Sequence, residues 1–225
     1  MLNKKLFVVC TKEGDYIKQC VEKIIAHYPE DDILVVDSDS KDKSYMDGLR
    51  KYKNVVIARD SELLADYKNK HYEYGAILYG FKNNKDSYDV FFFIQDSIYI
   101  EGEIDLSILD EESVLVFSDF RKGWSNWTTH ETKCRKEFPE FFNHPNYVHP
   151  NNLLMVQFNS FIITSSTFDK CIKSELFNVA PGAPNNKIAS CNWERLWTSV
   201  FLGNDLEIKT IKNLNNIHKI CAGRR

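Results

Sequence analysis

The chain has 225 residues, 43% hydrophobic and 27% charged, which is ordinary globular composition and enough length for one large domain or two small ones. A formal charge of -3 with no lysine or arginine cluster argues against a generic nucleic-acid surface. No stretch approaches the ~20 apolar residues of a membrane span.

The opening MLNKKLFVVCTKEGD is apolar only from Leu6 to Cys10, too short for a signal peptide, so the chain should start directly with its first strand. TKEGD ends that strand and offers Thr11 or Asp15 as a helix cap. Residues 16–27 have helical spacing, with Ile17, Cys20, Val21, Ile24 and Ile25 on one face and Pro29 beyond the end. Residues 33–36 read as a second strand running into the polar loop DSDSKDKS, 44–51 as a short helix and 55–57 as a third strand. Asp60 or Ser61 could act as a cap in ARDSELLADYKNK, after the third strand. A helix over 72–81 carries Gly75, Ala76 and Gly80, and YDVFFFIQDS gives a fourth strand over 90–94.

Continuous apolar strands alternating with helices predict an α/β fold with a mostly parallel sheet covered on both faces. Ligands bind such sheets beyond the carboxyl ends of the strands. Those ends are Thr11-Lys12-Glu13, Asp37-Ser38-Asp39, Ala58-Arg59-Asp60 and Gln95-Asp96-Ser97. All are polar and three contain aspartate, the first functional signal in the chain.

The second half is less regular. Strands are expected at 114–117, 153–158, 161–164 and 206–211, and helices near 131–142, at 166–176 and at 193–202. The intervening 119–152 is rich in aromatics, His, Asn and Pro. Six cysteines stand at 10, 20, 134, 171, 191 and 221 without a C-x-x-C pair, which argues against a zinc cluster. Cys10 and Cys191 read as small core residues, and a reducing, cytoplasmic setting fits best.

There is no G-x-G-x-x-G, no G-x-x-x-x-G-K-[ST] and no G-x-S-x-G, so a dinucleotide dehydrogenase, a P-loop ATPase and an α/β-hydrolase are poor fits. Asp96 either caps a turn or serves as a metal- or phosphate-linked carboxylate on a rigid strand end. Asp37 either sits in a solvated loop or accepts hydrogen bonds from a base or ribose. Glu194, in SCNWERLWTSVF, is either a first-turn acid favoured by the helix dipole or a base whose pKa rises beside Trp193. His218, in NNIHKI, is either a partly buried histidine or a metal ligand. His144 and His149 lack a metal-site spacing and more naturally shape a loop for an acceptor. Trp124 and Trp127 could stack on a sugar or fill the core.

Taken together these segments resemble the GT-A-type nucleotide-sugar glycosyltransferases, in particular small virus-encoded and bacterial single-domain members. VVCTKEGD followed by ILVVDSDSKDKS is similar to the family's nucleotide-binding strands. YDVFFFIQDS stands in the place of its Asp-x-Asp motif, NWER looks like its late acidic motif, and NIHKI sits where many members carry a metal-binding histidine. The resemblance implies a Rossmann-type mixed sheet in one domain over 1–225, with 1–100 binding the nucleotide sugar and 101–225 the acceptor. It implies a transferase moving a sugar from a nucleoside diphosphate sugar to a glycan or other hydroxyl acceptor, with inversion. Thr11, Glu13, Asp37, Asp96 and Ser97 would bind the donor. Asp96 and His218 would hold Mn²⁺ or Mg²⁺, Glu194 would be the base, and Trp124, Asn159 and Ser160 would contact the acceptor. The chain departs from the pattern in three places: only Asp96 is charged in Gln95-Asp96-Ser97, NWER has no second carboxylate after Glu194, so the base assignment rests on one residue, and FNSF at 158–161 lacks the family's glycine. A non-catalytic nucleotide-sugar-binding protein and a sugar nucleotidyltransferase stay open as alternatives.

Overall fold

The computed structural model describes residues 4–12, 14, 16–38, 40–58, 72–119, 121 and 128–219. The strands are β1 (Lys5–Thr11), β2 (Asp32–Asp37), β3 (Val55–Ile57), β4 (Val90–Gln95), β5 (Ile98–Ile100), β6 (Ser113–Val116), β7 (Phe161–Thr164), β8 (Glu207–Thr210) and β9 (Ile217–Lys219). The helices are α1 (Ile17–His27), α2 (Tyr72–Asn84), α3 (Thr128–Glu137), α4 (Pro139–Phe142), α5 (Ser165–Ile172), α6 (Glu175–Asn178) and α7 (Lys187–Leu202), with a 3₁₀ stretch at Ser44–Lys51.

The main sheet has the order β3-β2-β1-β4-β7-β6-β8. Its first four strands run parallel, β8 runs parallel to β6, and β7 is antiparallel to both neighbours, β4 and β6. One sheet therefore takes strands from both halves of the sequence. β5 and β9 form a separate two-stranded ribbon just after β4.

The unbroken apolar run of β4 fills two cores at once, because successive side chains of a strand point to opposite faces. Phe91 and Phe93 pack on one face with Phe81 and Phe168 (ring centroids 5.1 and 5.3 Å). Phe92 packs on the other face against Phe7 at 4.3 Å. α2 lies close on the first face because position 80 is glycine: a Cβ there would come within 2.7 Å of both Val8 methyl carbons.

Several boundaries differ from the sequence expectation. Residues 153–158 are not a strand. The Val156 N–H donates to Thr198 Oγ1 on α7 at 3.0 Å, so that part of the segment is tied to a helix side chain. α7 begins at Lys187, six residues earlier than the apolar periodicity suggested, because Asn186 caps it by accepting from the Ala189 N–H at 3.0 Å. The helix expected over 166–176 stops and restarts where Ser174 caps α6. Pro139, at the start of α4, divides the helix expected over 131–142. Tyr16 stands at the N-cap of α1 with no side-chain cap bond, so the Thr11 hydroxyl is not used as a cap there. The proposed caps Asp15, Asp60 and Ser61 lie outside the described residues.

Tyr28 yields a pH prediction. Its ring packs against Phe7, its hydroxyl accepts the Ile104 N–H at 2.7 Å, and burial pushes its phenol up to about 12. A raised native pKa gives stability that is full below the unfolded value of ~10 and is lost as pH rises through 12. Two pKa units correspond to about 2.7 kcal/mol. Urea unfolding at pH 8 and pH 12 should therefore show a steeper loss for the wild type than for Tyr28→Phe. The variant starts about 1 kcal/mol lower for want of one hydrogen bond. Identical pH slopes would remove Tyr28 from the alkaline transition.

Candidate active site

The parallel register places Thr11 beside Asp37 and Cys10 beside Gln95, which brings the carboxyl ends of β1, β2 and β4 to one edge. Asp96 stands in the turn after β4. Its N–H donates to the Cys10 carbonyl at 2.9 Å, and its Oδ2 accepts the Thr11 hydroxyl at 2.8 Å. Gly14 covers this pair: a Cβ would come within 2.5 Å of Thr11 Oγ1 and 2.7 Å of Asp96 Oδ2. Lack of a side chain is what allows Gly14 to lie against the carboxylate.

Asp37 is buried and occupied within its own loop. It accepts the Ser40 N–H at 2.8 Å and the Ser40 and Tyr45 hydroxyls at 2.5 Å each, and Lys43 stands 3.5 Å away. Burial, reinforced by the hydrogen bond to Asp37, pushes the Tyr45 phenol far above its ordinary value, so it stays a donor. Asp37 thereby ties Ser40, Lys43 and Tyr45 together. Its neighbour Ser38 donates its N–H to the Thr11 carbonyl at 2.8 Å, and the buried Ser38 hydroxyl has no hydrogen-bond partner among the described residues.

Sequence reasoning missed Glu73. In the first turn of α2, it is buried and accepts from Gln95 Nε2 at 2.5 Å and from the Ser190 hydroxyl at 2.7 Å, with Lys187 Nζ 4.0 Å away. One carboxylate thus joins α2, the end of β4 and the first turn of α7. The only signal in the sequence was an acid inside the otherwise apolar and aromatic YEYGAILYGF.

Glu194 is the eighth residue of α7, half-buried in mid-helix, so a first-turn dipole preference does not account for it. Helical spacing puts it on the face of Lys187 and Ser190, the face turned to Glu73. Trp193, Trp197, Val200 and Phe201 form the buried stripe, as expected. Trp193 and Leu196, on another face, line a cleft of about 690 Å³ with Phe138 and Pro184. Cys191 is not the core residue expected. It is half-exposed on the Glu194 face, its thiol pushed up by burial and pulled down by Lys187. Cys10 is buried, as expected.

In the turn before β7, Phe158 and Asn159 have φ values of 59° and 48°. Both are left-handed, a region where non-glycine residues are uncommon. The glycine missing from FNSF is therefore missing from positions that adopt the backbone glycine favours. Asn159 donates to the Ser190 carbonyl at 3.3 Å, and its buried Oδ1 has no partner among the described residues. Ser160 is fully buried and its hydroxyl donates to the Phe158 carbonyl at 3.0 Å, closing the turn.

His218 lies on β9 opposite Tyr99 and is exposed, unlike the partly buried position considered from sequence. Ser97 is half-buried beside Asp96. His144 and His149 each accept a backbone N–H two residues on, and His149 also meets Glu131 at 3.0 Å, so both shape their own loop. Glu13, Trp124 and Trp127 lie outside the described residues. Among the described residues no three His, Cys, Asp or Glu side chains converge as a metal-binding group. No described helix is long and apolar enough to cross a membrane.

No family model and no curated protein matches the chain. Among solved structures it is similar to glucosyl-3-phosphoglycerate synthase from Mycobacterium tuberculosis in complex with phosphoglyceric acid. The TM-score is 0.50 at 15% identity, over 92% of this chain and 69% of that one. The same synthase in complex with uridine diphosphate gives a TM-score of 0.46 at 9% identity, over 91% of this chain and 81% of that one. S. aureus TarS gives 0.37 at 18% identity over 51% of this chain, which spans 21% of TarS. The mixed sheet, with β7 reversed between β4 and β6, and the first of these superpositions define an α/β fold of the GT-A glycosyltransferase type.

Proposed function

We propose that the chain is a glycosyltransferase moving a sugar from a nucleoside diphosphate sugar to an acceptor hydroxyl. The observation that carries this reading is the Asp96 carboxylate, held by Thr11 at the joined ends of β1 and β4 and roofed by Gly14 in a GT-A-type sheet. The donor lies across the strand ends. Thr11, Ser38 and the loop ordered by Asp37 receive the nucleoside together with Glu13, and Ser97 and Asp96 face the diphosphate. Asp96 and His218, a carboxylate and an imidazole, would be the residues to hold a Mn²⁺ or Mg²⁺. Such an ion, when bound, acts as a Lewis acid on the leaving group.

Glu194 accepts the proton of the acceptor hydroxyl. The acceptor oxygen bonds to the anomeric carbon from the face opposite the diphosphate. The old carbon–oxygen bond breaks with its electron pair on the nucleoside diphosphate, and the anomeric centre inverts. Asn159, with its unused Oδ1, and Trp124 are placed on the acceptor side in this reading, and Ser160 supports the turn that carries Asn159.

A thermal-shift panel of nucleoside diphosphate sugars, with and without Mn²⁺, tests this. One donor should raise the melting temperature, since a ligand at 100 times its Kd adds about 2.7 kcal/mol of stability. The same donor should then release nucleoside diphosphate. Binding without release would favour a non-catalytic nucleotide-sugar-binding protein, the reading that the lone charge of Gln95-Asp96-Ser97 favours. Pyrophosphate from a nucleoside triphosphate and a sugar phosphate would make it a sugar nucleotidyltransferase. No response to any nucleotide sugar would overturn the donor site.

A further inference from the structure

The strand ends gather carboxylates. Asp37, Glu73 and Asp96 stand there, with Glu194 on the helix face that meets Glu73. A diphosphate brought to Asp96 adds charge of the same sign, so it needs cations to hold it. Lys43 stands against Asp37. Two other lysines converge elsewhere: Lys12 Nζ lies 5.5 Å and Lys187 Nζ 5.8 Å from the centre of one ring, that of Tyr72. Tyr72 itself has a left-handed φ of 48° at the start of α2, a conformation uncommon for an aromatic residue.

Each lysine also belongs to a segment bonded to the turn that holds Asp96. Lys12 directly follows Thr11, whose hydroxyl donates to Asp96 Oδ2. Lys187 stands 4.0 Å from Glu73, which accepts from Gln95, the residue before Asp96. The backbone elements that carry the two lysines are therefore tied to the turn holding Asp96 by separate routes, one through β1 and one through α2 and α7.

We propose that Lys12 and Lys187, set against the Tyr72 ring, form a clamp for the donor's diphosphate, supplying positive charge beside the carboxylates gathered at the strand ends. The clamp rests on the glycosyltransferase reading and deepens it. Lysine serves such a site as a movable point charge, forming charge-assisted hydrogen bonds to whichever phosphate oxygens the donor presents. Diphosphate binding then has a part that survives removal of divalent metal and weakens with salt.

The test is calorimetric titration of the full chain with UDP, GDP, ADP, CDP and dTDP and with the matching nucleosides, first in EDTA and then in Mn²⁺. The wild type should bind one diphosphate in EDTA. Lys12→Met/Lys187→Met should weaken that diphosphate at least ~10-fold and leave its nucleoside unchanged. Lys12→Arg/Lys187→Arg should keep most of the affinity. Equal diphosphate affinity in the methionine variant and the wild type overturns the clamp while the donor site stands. Wild-type binding that appears only with Mn²⁺ overturns it too. A wild type that binds no diphosphate under either condition overturns both readings. If the methionine variant does not fold, wild-type affinity in EDTA across a salt series decides: a steep fall supports the clamp and a flat response rejects it.

Discussion

Replacing Glu194 by glutamine should lower turnover about 10²–10⁴-fold while the nucleotide sugar still binds. That loss corresponds to about 3 to 5 kcal/mol of barrier. Glutamine keeps the size of the side chain and removes its ability to take the acceptor's proton. The surrounding structure favours a clean result, because α7 is fixed from several sides. Trp193 and Trp197 are almost wholly buried, Thr198 accepts the Val156 N–H, and Ser190 is bonded to Glu73 while its carbonyl accepts from Asn159. A side chain on so constrained a helix is held in place better than one on a loop. The check is nucleoside diphosphate release across an acceptor panel, with donor affinity measured by titration. Full turnover in the variant rejects the base role. An equal loss in binding and in kcat/KM would instead make Glu194 a donor contact.

The parts of this molecule that were legible in its sequence are those set by local pattern. β1, β2 and β4 are runs of apolar residues bounded by polar loops, and such runs have few alternatives once both faces are covered. Their ends carry Thr11, Asp37 and Asp96, so the edge where these three meet could be located before the fold was known. What local pattern could not show was pairing at a distance. β7 reads as a strand, but nothing within Phe161–Thr164 says that it runs antiparallel to β4. The ribbon joins Ile98–Ile100 to Ile217–Lys219, segments of three residues each that are too short for a periodic signal. Leu154, Met155 and Val156 are buried, and burial alone cannot distinguish a strand from an irregular segment whose N–H bonds to a helix side chain.

The same division runs through the site. Glu73 and Ser190 are 117 residues apart and meet only because α2 packs on α7, so no spacing rule could pair them. The first six residues of α7, Lys187 to Asn192, are mixed in character and hid its start. That in turn made Glu194 look like a first-turn acid. FNSF holds no glycine although Phe158 and Asn159 take up the left-handed conformations that favour one, and Asn159 is fastened to α7. Strain of this kind concentrates where a structure holds a residue for a purpose.

The second large effect is expected at Asp96. Asp96→Asn retains an oxygen that can accept the Thr11 hydroxyl, so the fold should be little disturbed, but the charge is gone. In Mn²⁺ the variant should lose donor affinity by about 100-fold or more, about 2.7 kcal/mol, because the carboxylate proposed as a metal ligand has been replaced by a neutral amide. In EDTA the sign should reverse or the difference vanish, since removing a negative charge from beside a diphosphate relieves repulsion. Thr11→Val separates charge from position. It keeps the carboxylate and removes the hydrogen bond that orients it, and a supporting contact of this kind is worth about 10–100-fold in metal affinity. The expected order in Mn²⁺ is therefore wild type, then Thr11→Val, then Asp96→Asn, read by titration of the donor found in the thermal-shift panel. Equal affinities of wild type and Asp96→Asn in Mn²⁺ would mean that the carboxylate only pins Thr11 to the turn after β4. The reason for placing the diphosphate there would then be gone.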